Sequence, residues 1–171
     1  MTRAPAGVLD RIALIEGAAQ VEGRVSLPAI RDIDGMAEPA AARTLSLSPE
    51  GGALNRPTLR RGRLPDPERA EEVALAEPFA EAHGLVPGNR LRGILNGQMR
   101  DLRVTGRVLS PEFVYALAPG SIMPDDRRFG TLWMGLPAAA AAADLAGAVN
   151  DIALRLTRNA DERAVIAAVD A

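Results

Sequence analysis

Few residues in this chain could carry chemistry, and their spacing limits what that chemistry could be. His83 is the sole histidine, and no partner stands near it at the spacing a transition-metal site needs. It falls at the end of an expected short helix, where an imidazolium would lie against the carbonyl end of the helix dipole. Ser46, Ser48, Ser110 and Ser121 lack the Gly-x-Ser-x-Gly turn that exposes a nucleophile, and the one imidazole is remote from them in sequence. The acid pairs Asp125-Asp126 and Glu71-Glu72 could split their pKa values and share acid and base roles, as a small hydrolase would require. Asp125-Asp126-Arg127-Arg128 neutralises itself, however, and reads as a loop held by turn hydrogen bonds and ion pairs. Glu71-Glu72 reads as a solvated strand start. Tyr115 and Trp133, each the only one of its kind, read as packing residues more than as a ligand cage. No catalytic, cofactor-binding or metal residue is expected. Asp125, Asp126, Arg127, Arg128 and Tyr115 remain as a candidate contact surface for a partner.

Composition excludes other classes. Aromatic residues make up 3% of the 171 residues and the net charge is −2, so both the stacking platform and the basic footprint of a nucleic-acid binder are missing. All 20 basic residues are arginines, a uniformity that reads as codon bias. Cysteine is absent, which removes thiol chemistry, disulfides and zinc-thiolate sites and leaves the redox compartment open. The Ala138 to Ala143 tract is too short and too weakly apolar to cross a bilayer. No apolar signal core follows Met1-Thr2-Arg3, so residence outside the cytoplasm would place the export signal outside this sequence. No Gly-rich loop has the spacing of a phosphate cradle.

The elements that position these residues follow from periodicity. Val8, Leu9, Ile12 and Ile15 predict a short amphipathic helix that ends at Gly17. Val21 to Ile33 predicts one long strand interrupted at Pro28. Ala40 to Leu47 is its partner across an Asp34-Gly35 turn. Ser48 to Arg69, punctuated by proline and glycine, reads as a crossing between lobes. Glu71 to Ala76 predicts a strand, and Glu77 to His83 a helix with Pro78 in its first turn. Arg90 to Leu95, Asn96-Gly97 and Gln98 to Leu109 predict a tight hairpin in which Leu91 faces Leu102 and Arg92 faces Asp101 as an ion pair. Phe113 to Leu117 and Thr131 to Met134 predict two further strands. An Ala-rich helix follows Pro137, then a strand from Asn150 to Leu156 with Ile152, Leu154 and Leu156 on one face. The last helix is expected to start on Asn159 as N-cap and to bury Val165, Ile166 and Val169.

Three stretches carry a family resemblance. Glu72 to Asn89, with its acidic strand, short helix and Gly84-Leu85-Val86-Pro87-Gly88-Asn89 turn, resembles a segment of MacB/FtsX-type ABC transporter permeases. Val104-Thr105-Gly106-Arg107-Val108-Leu109-Ser110-Pro111-Glu112-Phe113-Val114-Tyr115 is similar to a run found in one branch of that family. So is Pro124-Asp125-Asp126-Arg127-Arg128-Phe129-Gly130-Thr131-Leu132-Trp133-Met134. The resemblance is dense from Glu72 to Met134, and weaker through Arg11 to Leu64 and Asn150 to Ala168. Family members begin with a strand before the first helix, where this reading begins at the helix.

The resemblance implies an α+β fold in which residues 1–60 and 136–171 form a discontinuous porter-like βαβ lobe and residues 61–135 form an inserted, mostly β lobe. It implies an inner-membrane protein whose domain lies on the periplasmic or extracellular side between the first two membrane helices. It implies no cofactor and no catalysis, ATP hydrolysis belonging to a separate cytoplasmic ABC ATPase subunit. A periplasmic adaptor or a second permease ectodomain is the further partner it implies. The function expected is coupling of ATP-driven membrane-helix movement to export of a substrate or to a periplasmic partner. The rivals are a carboxylate-dependent hydrolase built on Asp125 or Asp126 and a free periplasmic binding module.

Overall fold

The computed structural model describes residues 3–31, 40–48 and 54–170, and the expected Asp34-Gly35 turn lies outside them. In chain order the elements are β1 (Ala4–Pro5), α1 (Val8–Ala13), β2 (Ala18–Arg24), β3 (Ser26–Arg31), β4 (Ala40–Leu47), β5 (Thr58–Gly62) and β6 (Glu72–Ala76). They continue with α2 (Glu77–Ala82), β7 (Arg90–Leu95), β8 (Gln98–Leu109), β9 (Phe129–Gly135), α3 (Leu136–Ala142), β10 (Ala148–Val149), β11 (Asp151–Leu156) and α4 (Glu162–Val169). The fold is α+β.

Seven strands form the main sheet in the order β5-β8-β6-β9-β4-β3-β7, and β7 also pairs with β8. That last pairing closes a ring, β8-β6-β9-β4-β3-β7, with β5 left outside on β8. The long β8 makes this possible: residues 98–103 pair β7, residues 103–108 pair β6, and β5 takes residues 106–109. A closed ring hides its strand edges from solvent partners, so β5 carries an exposed edge. The hairpin at Asn96-Gly97, both at positive φ, pairs Leu91 with Leu102 and Arg92 with Asp101 as expected. Arg92 and Asp101 stand opposite each other with both side chains exposed and no ion pair closed between them; such an exposed pair would be worth at most about 1 kcal/mol.

Inside the ring, Leu27, Leu75, Leu102 and Met134 pack against the alanine face of α3, through Ala138, Ala139 and Ala142. Alanine side chains let the helix approach the strands closely, so this tract, too short to cross a membrane, is part of the core. A second cluster holds Leu45, Phe79, Val108 and Trp133. Gly130 is required there: a Cβ on it would stand 2.3 Å from the Phe79 ring.

Outside the ring, β2 and β11 form an antiparallel ribbon, carrying α1 and α4. The expected single strand from Val21 to Ile33 is therefore two strands serving two sheets, and the break falls at Val25, not at Pro28. Val25 donates its N–H to Ser46 Oγ, and its carbonyl accepts from Ser46 N; the chain bends there to leave the ring. Pro28 stays within β3 because β7 joins only from Ala29 onward, leaving no strand neighbour on that side. A strand does precede the first helix: β1 pairs Ala4 with Val149 and Pro5 with Ala148.

Further expected elements change. The Ser48 to Arg69 crossing contains β5. Phe113 to Leu117 is loop, because Phe113 turns onto Trp133 while Val114 and Tyr115 point into solvent. Asp161, not Asn159, caps α4, accepting from Arg163 N and Ala164 N on one carboxylate oxygen. Of the expected stripe only Val165 is buried; Ile166 and Val169 are half-exposed. Within the sheet, β3 pairs with β7 and β4 with β9.

Candidate functional site

The longest connection among the described residues, from Ser110 to Arg128, joins β8 to β9. Its residues 113–124 carry no charge, in a chain where a quarter of residues do. Val114, Tyr115, Leu117, Ile122 and Met123 are 64, 74, 47, 94 and 71% exposed. Scattered single exposed apolar residues are ordinary, but five within ten positions form a patch of the kind that marks a contact surface.

The loop is held at both ends. At its start, Arg24 forms a two-pronged pair with Glu112, at 2.6 and 3.0 Å, and also donates from Nε and Nη2 to Asp151 Oδ1 at 2.9 and 2.8 Å. Asn55 donates to Glu112 as well. Arg24 is 9% exposed. Burial alone would lower its pKa; the hydrogen bonds to Glu112 and then Asp151 outweigh that and raise it, so the guanidinium stays charged. The same contact with Arg24 holds the Glu112 carboxyl below its ordinary value. One side chain thus ties together β2, β11 and the root of the loop. Next to it, Asn150 accepts from Ser26 N and donates to Ser26 O at 2.7 Å each. Phe113 packs at 6.4 Å from the Trp133 ring and beneath Arg43, which lies 5.8 Å from its centroid.

At the far end Asp125 does turn work. Its Oδ1 accepts from Arg127 N at 3.0 Å and Arg128 N at 3.3 Å, and Oδ2 lies 3.7 Å from Arg128 Nε. This is an Asx turn, and it leaves the carboxylate exposed and committed to backbone amides, without the dry, carboxylate-paired setting that a general acid needs. His83 is the C-cap of α2, as expected, and its Nε2 also meets the Arg127 carbonyl oxygen at 3.0 Å while its ring stacks edge-on to Phe79. It pins α2 to the loop. Among the described residues no group of three potential metal ligands exists. Of the candidate contacts, Tyr115 and Asp125 to Arg128 lie on one connection, Tyr115 near its clamped start and the charged run at its end. Tyr115 is not a packing residue, whereas Trp133 is, at 3% exposure.

Sequence reading missed both arginine clamps. The second one overturns the solvated strand start expected at Glu71-Glu72. Glu71 is exposed, but Glu72 is fully buried. It takes Arg63 Nη1 and Nη2 at 2.6 and 2.5 Å and the Asp66 amide at 3.0 Å. The hydrogen bond from Arg63 is the main reason its pKa falls to about 2. A run of Glu followed by Val-Ala-Leu-Ala could have signalled this, since a buried strand drags its first residue inside with it.

No family model and no curated protein matches the sequence. Solved structures do match the fold. The periplasmic region of MacB from Actinobacillus actinomycetemcomitans aligns with a TM-score of 0.56 and 14% identity, over 96% of this chain and 70% of that one. The extracellular domain of the noncanonic ABC-type transporter YknZ from Gram-positive bacteria aligns at 0.58 and 8%, over 97% and 78%. A domain of a putative permease protein from Porphyromonas gingivalis aligns at 0.50 and 16%, over 96% and 74%. At identities of 8 to 16% these likenesses speak for the fold alone: this chain has the α+β fold seen in the periplasmic region of MacB, the extracellular domain of YknZ and the permease domain from Porphyromonas gingivalis.

Proposed function

We propose that this chain is the extracytoplasmic domain of an ABC transporter permease subunit, and that it passes movement of membrane helices to a partner or substrate outside the cytoplasm. The observation that carries this reading is the convergence of both chain ends on the β2–β11 ribbon. Ala4 pairs with Val149, two residues before β11. At the other end, Asp170 shares an apolar groove with Ile12 and Ile152. Two membrane helices entering one bilayer side by side need such neighbouring exits. ATP hydrolysis would belong to a cytoplasmic ATPase subunit, and the domain itself would do no covalent chemistry.

Movement arriving at the ribbon meets the Arg24 clamp, which joins it to the root of the 110–128 loop. The exposed tip of that loop, with Tyr115, Ile122 and Met123, and the Asp125-Asp126-Arg127-Arg128 run beside it, would dock the partner. In the division into a porter-like lobe of residues 1–60 and 136–171 and an inserted lobe of residues 61–135, the parallel β4–β9 pairing couples the lobes stiffly. The hinge then belongs where the ribbon leaves the ring, at Val25 and Asn150.

The test uses the full-length permease with its ATPase, reconstituted in vesicles. Cysteines replace Ser26 and Asn150, which hydrogen-bond to one another, and a short bismaleimide bridges them. Locking the joint should abolish transport while ATP hydrolysis continues, and full transport by the bridged protein would refute the reading.

A further inference from the structure

The exposed edge left by ring closure has a charge of its own. From Arg56 to Arg63 the chain reads Arg-Pro-Thr-Leu-Arg-Arg-Gly-Arg, four cations and no acid, in a chain of net charge −2. Within it lies β5, whose five residues are all exposed. One edge of β5 pairs antiparallel with β8; among the described residues no strand pairs with the other. Two of the arginines are engaged, Arg60 with Glu77 at 3.4 Å and Arg63 with Glu72. Arg56 and Arg61 make no ion pair among the described residues. Leu59, 43% exposed, adds an apolar contact in the middle of the strand.

We infer that the outer edge of β5 is a docking site for an acidic, extended peptide segment of another protein, which adds to the sheet as one more strand. A row of unpaired backbone N–H and C=O groups is a template for strand addition, and side chains set which strand it accepts. Arginine on an edge strand discourages a second copy of the same strand, because pairing would bring Arg60 and Arg61 against like charges. The charges that repel a copy attract a strand carrying glutamate or aspartate. Single-stranded nucleic acid fits less well, since no aromatic residue is present on β5 to stack a base. This inference stands on the edge and its charge and is independent of the transporter reading.

The probe is a fluorescein-labelled, acetylated and amidated peptide of alternating glutamate and valine, followed by fluorescence anisotropy at low salt. Saturable binding is expected. Arg61→Glu and Arg56→Glu should each weaken it by about tenfold, since reversal replaces one exposed attraction with a repulsion. Both positions are exposed and without ion-pair partners, so thermal unfolding of either variant should match that of the parent. The same peptide N-methylated at alternate amides, on the edge that faces the protein, keeps its charge and loses its backbone donors; it should bind at least about tenfold more weakly. Equal binding of the methylated peptide would reduce the site to charge adsorption and overturn the inference. So would an oligothymidylate that binds as tightly as the peptide, an unaffected Arg61→Glu variant, or no saturable binding.

Discussion

Replacing Glu72 with glutamine tests whether charge, and not shape, holds the start of β6. The side chain is 1% exposed and is gripped by Arg63 through both terminal nitrogens. Its carboxyl is held at about 2, against an ordinary value of 4.5, chiefly by the Arg63 hydrogen bonds. Each pH unit of depression corresponds to about 1.4 kcal/mol, so the ionised carboxylate contributes on the order of 3 kcal/mol to folding at neutral pH. Because the folded-state pKa lies below the unfolded one, this stability is fully present above pH 4.5 and is lost as pH falls toward about 2. Glutamine fills the same volume and does not titrate. The Glu72→Gln protein should therefore be less stable than the parent by about 3 kcal/mol at neutral pH, with the gap roughly halved by about pH 3. Urea unfolding, followed by fluorescence of the single buried Trp133, measures both gaps. Other titrating groups are common to the two proteins and cancel in the difference. A gap of the same size at both pH values would refute the reasoning, because the cost would then lie in packing.

Arg24→Met should destabilise by about 3 kcal/mol, since Glu112 and Asp151 are left half-buried without their cation; limited proteolysis should show cleavage moving into residues 110–128. Gly130→Ala forces a methyl onto the Phe79 ring and should cost about 2 kcal/mol or more by thermal unfolding. The triple change Tyr115→Ser, Ile122→Ser and Met123→Ser touches no packed contact, so its unfolding free energy should stay within about 1 kcal/mol of the parent while retention on a hydrophobic-interaction column falls. Asp125→Asn keeps an acceptor for the turn amides and should leave the thermal midpoint within a few degrees of the parent.

How much of this was legible follows from which signals are local. The Asn96-Gly97 hairpin is read down to its residue pairing because its turn chemistry fixes its register, and Ala40 to Leu47 is read as a strand, which the structure describes there. The split at Val25 was not legible: a strand that serves two sheets has the same alternation throughout, and only Ser46 and Asn150, distant in sequence, bend it. Arg24 and Glu112 stand 88 residues apart, and nothing in either neighbourhood marks them as partners. Tyr115 was misread as a packing residue because aromatic character alone does not distinguish a core from a contact surface; the charge-free stretch of residues 113–124 around it was the better signal.

On the proposed reading, the arginine clamp sits at the joint of a part that must carry force. A two-stranded ribbon is only marginally stable alone, and its helices cover it incompletely, since Ile152, Leu154, Ile166 and Val169 still line an open groove of about 280 Å³. The ribbon's attachment to the ring therefore has to come from the root. There Arg24 binds β11 and the loop at once, while Asn150 bonds the start of β3 through both the oxygen and the nitrogen of its side-chain amide. These contacts are few and are made by side chains, so on the proposed reading the root is the joint on which the ribbon turns, with β3 and the loop both attached to it.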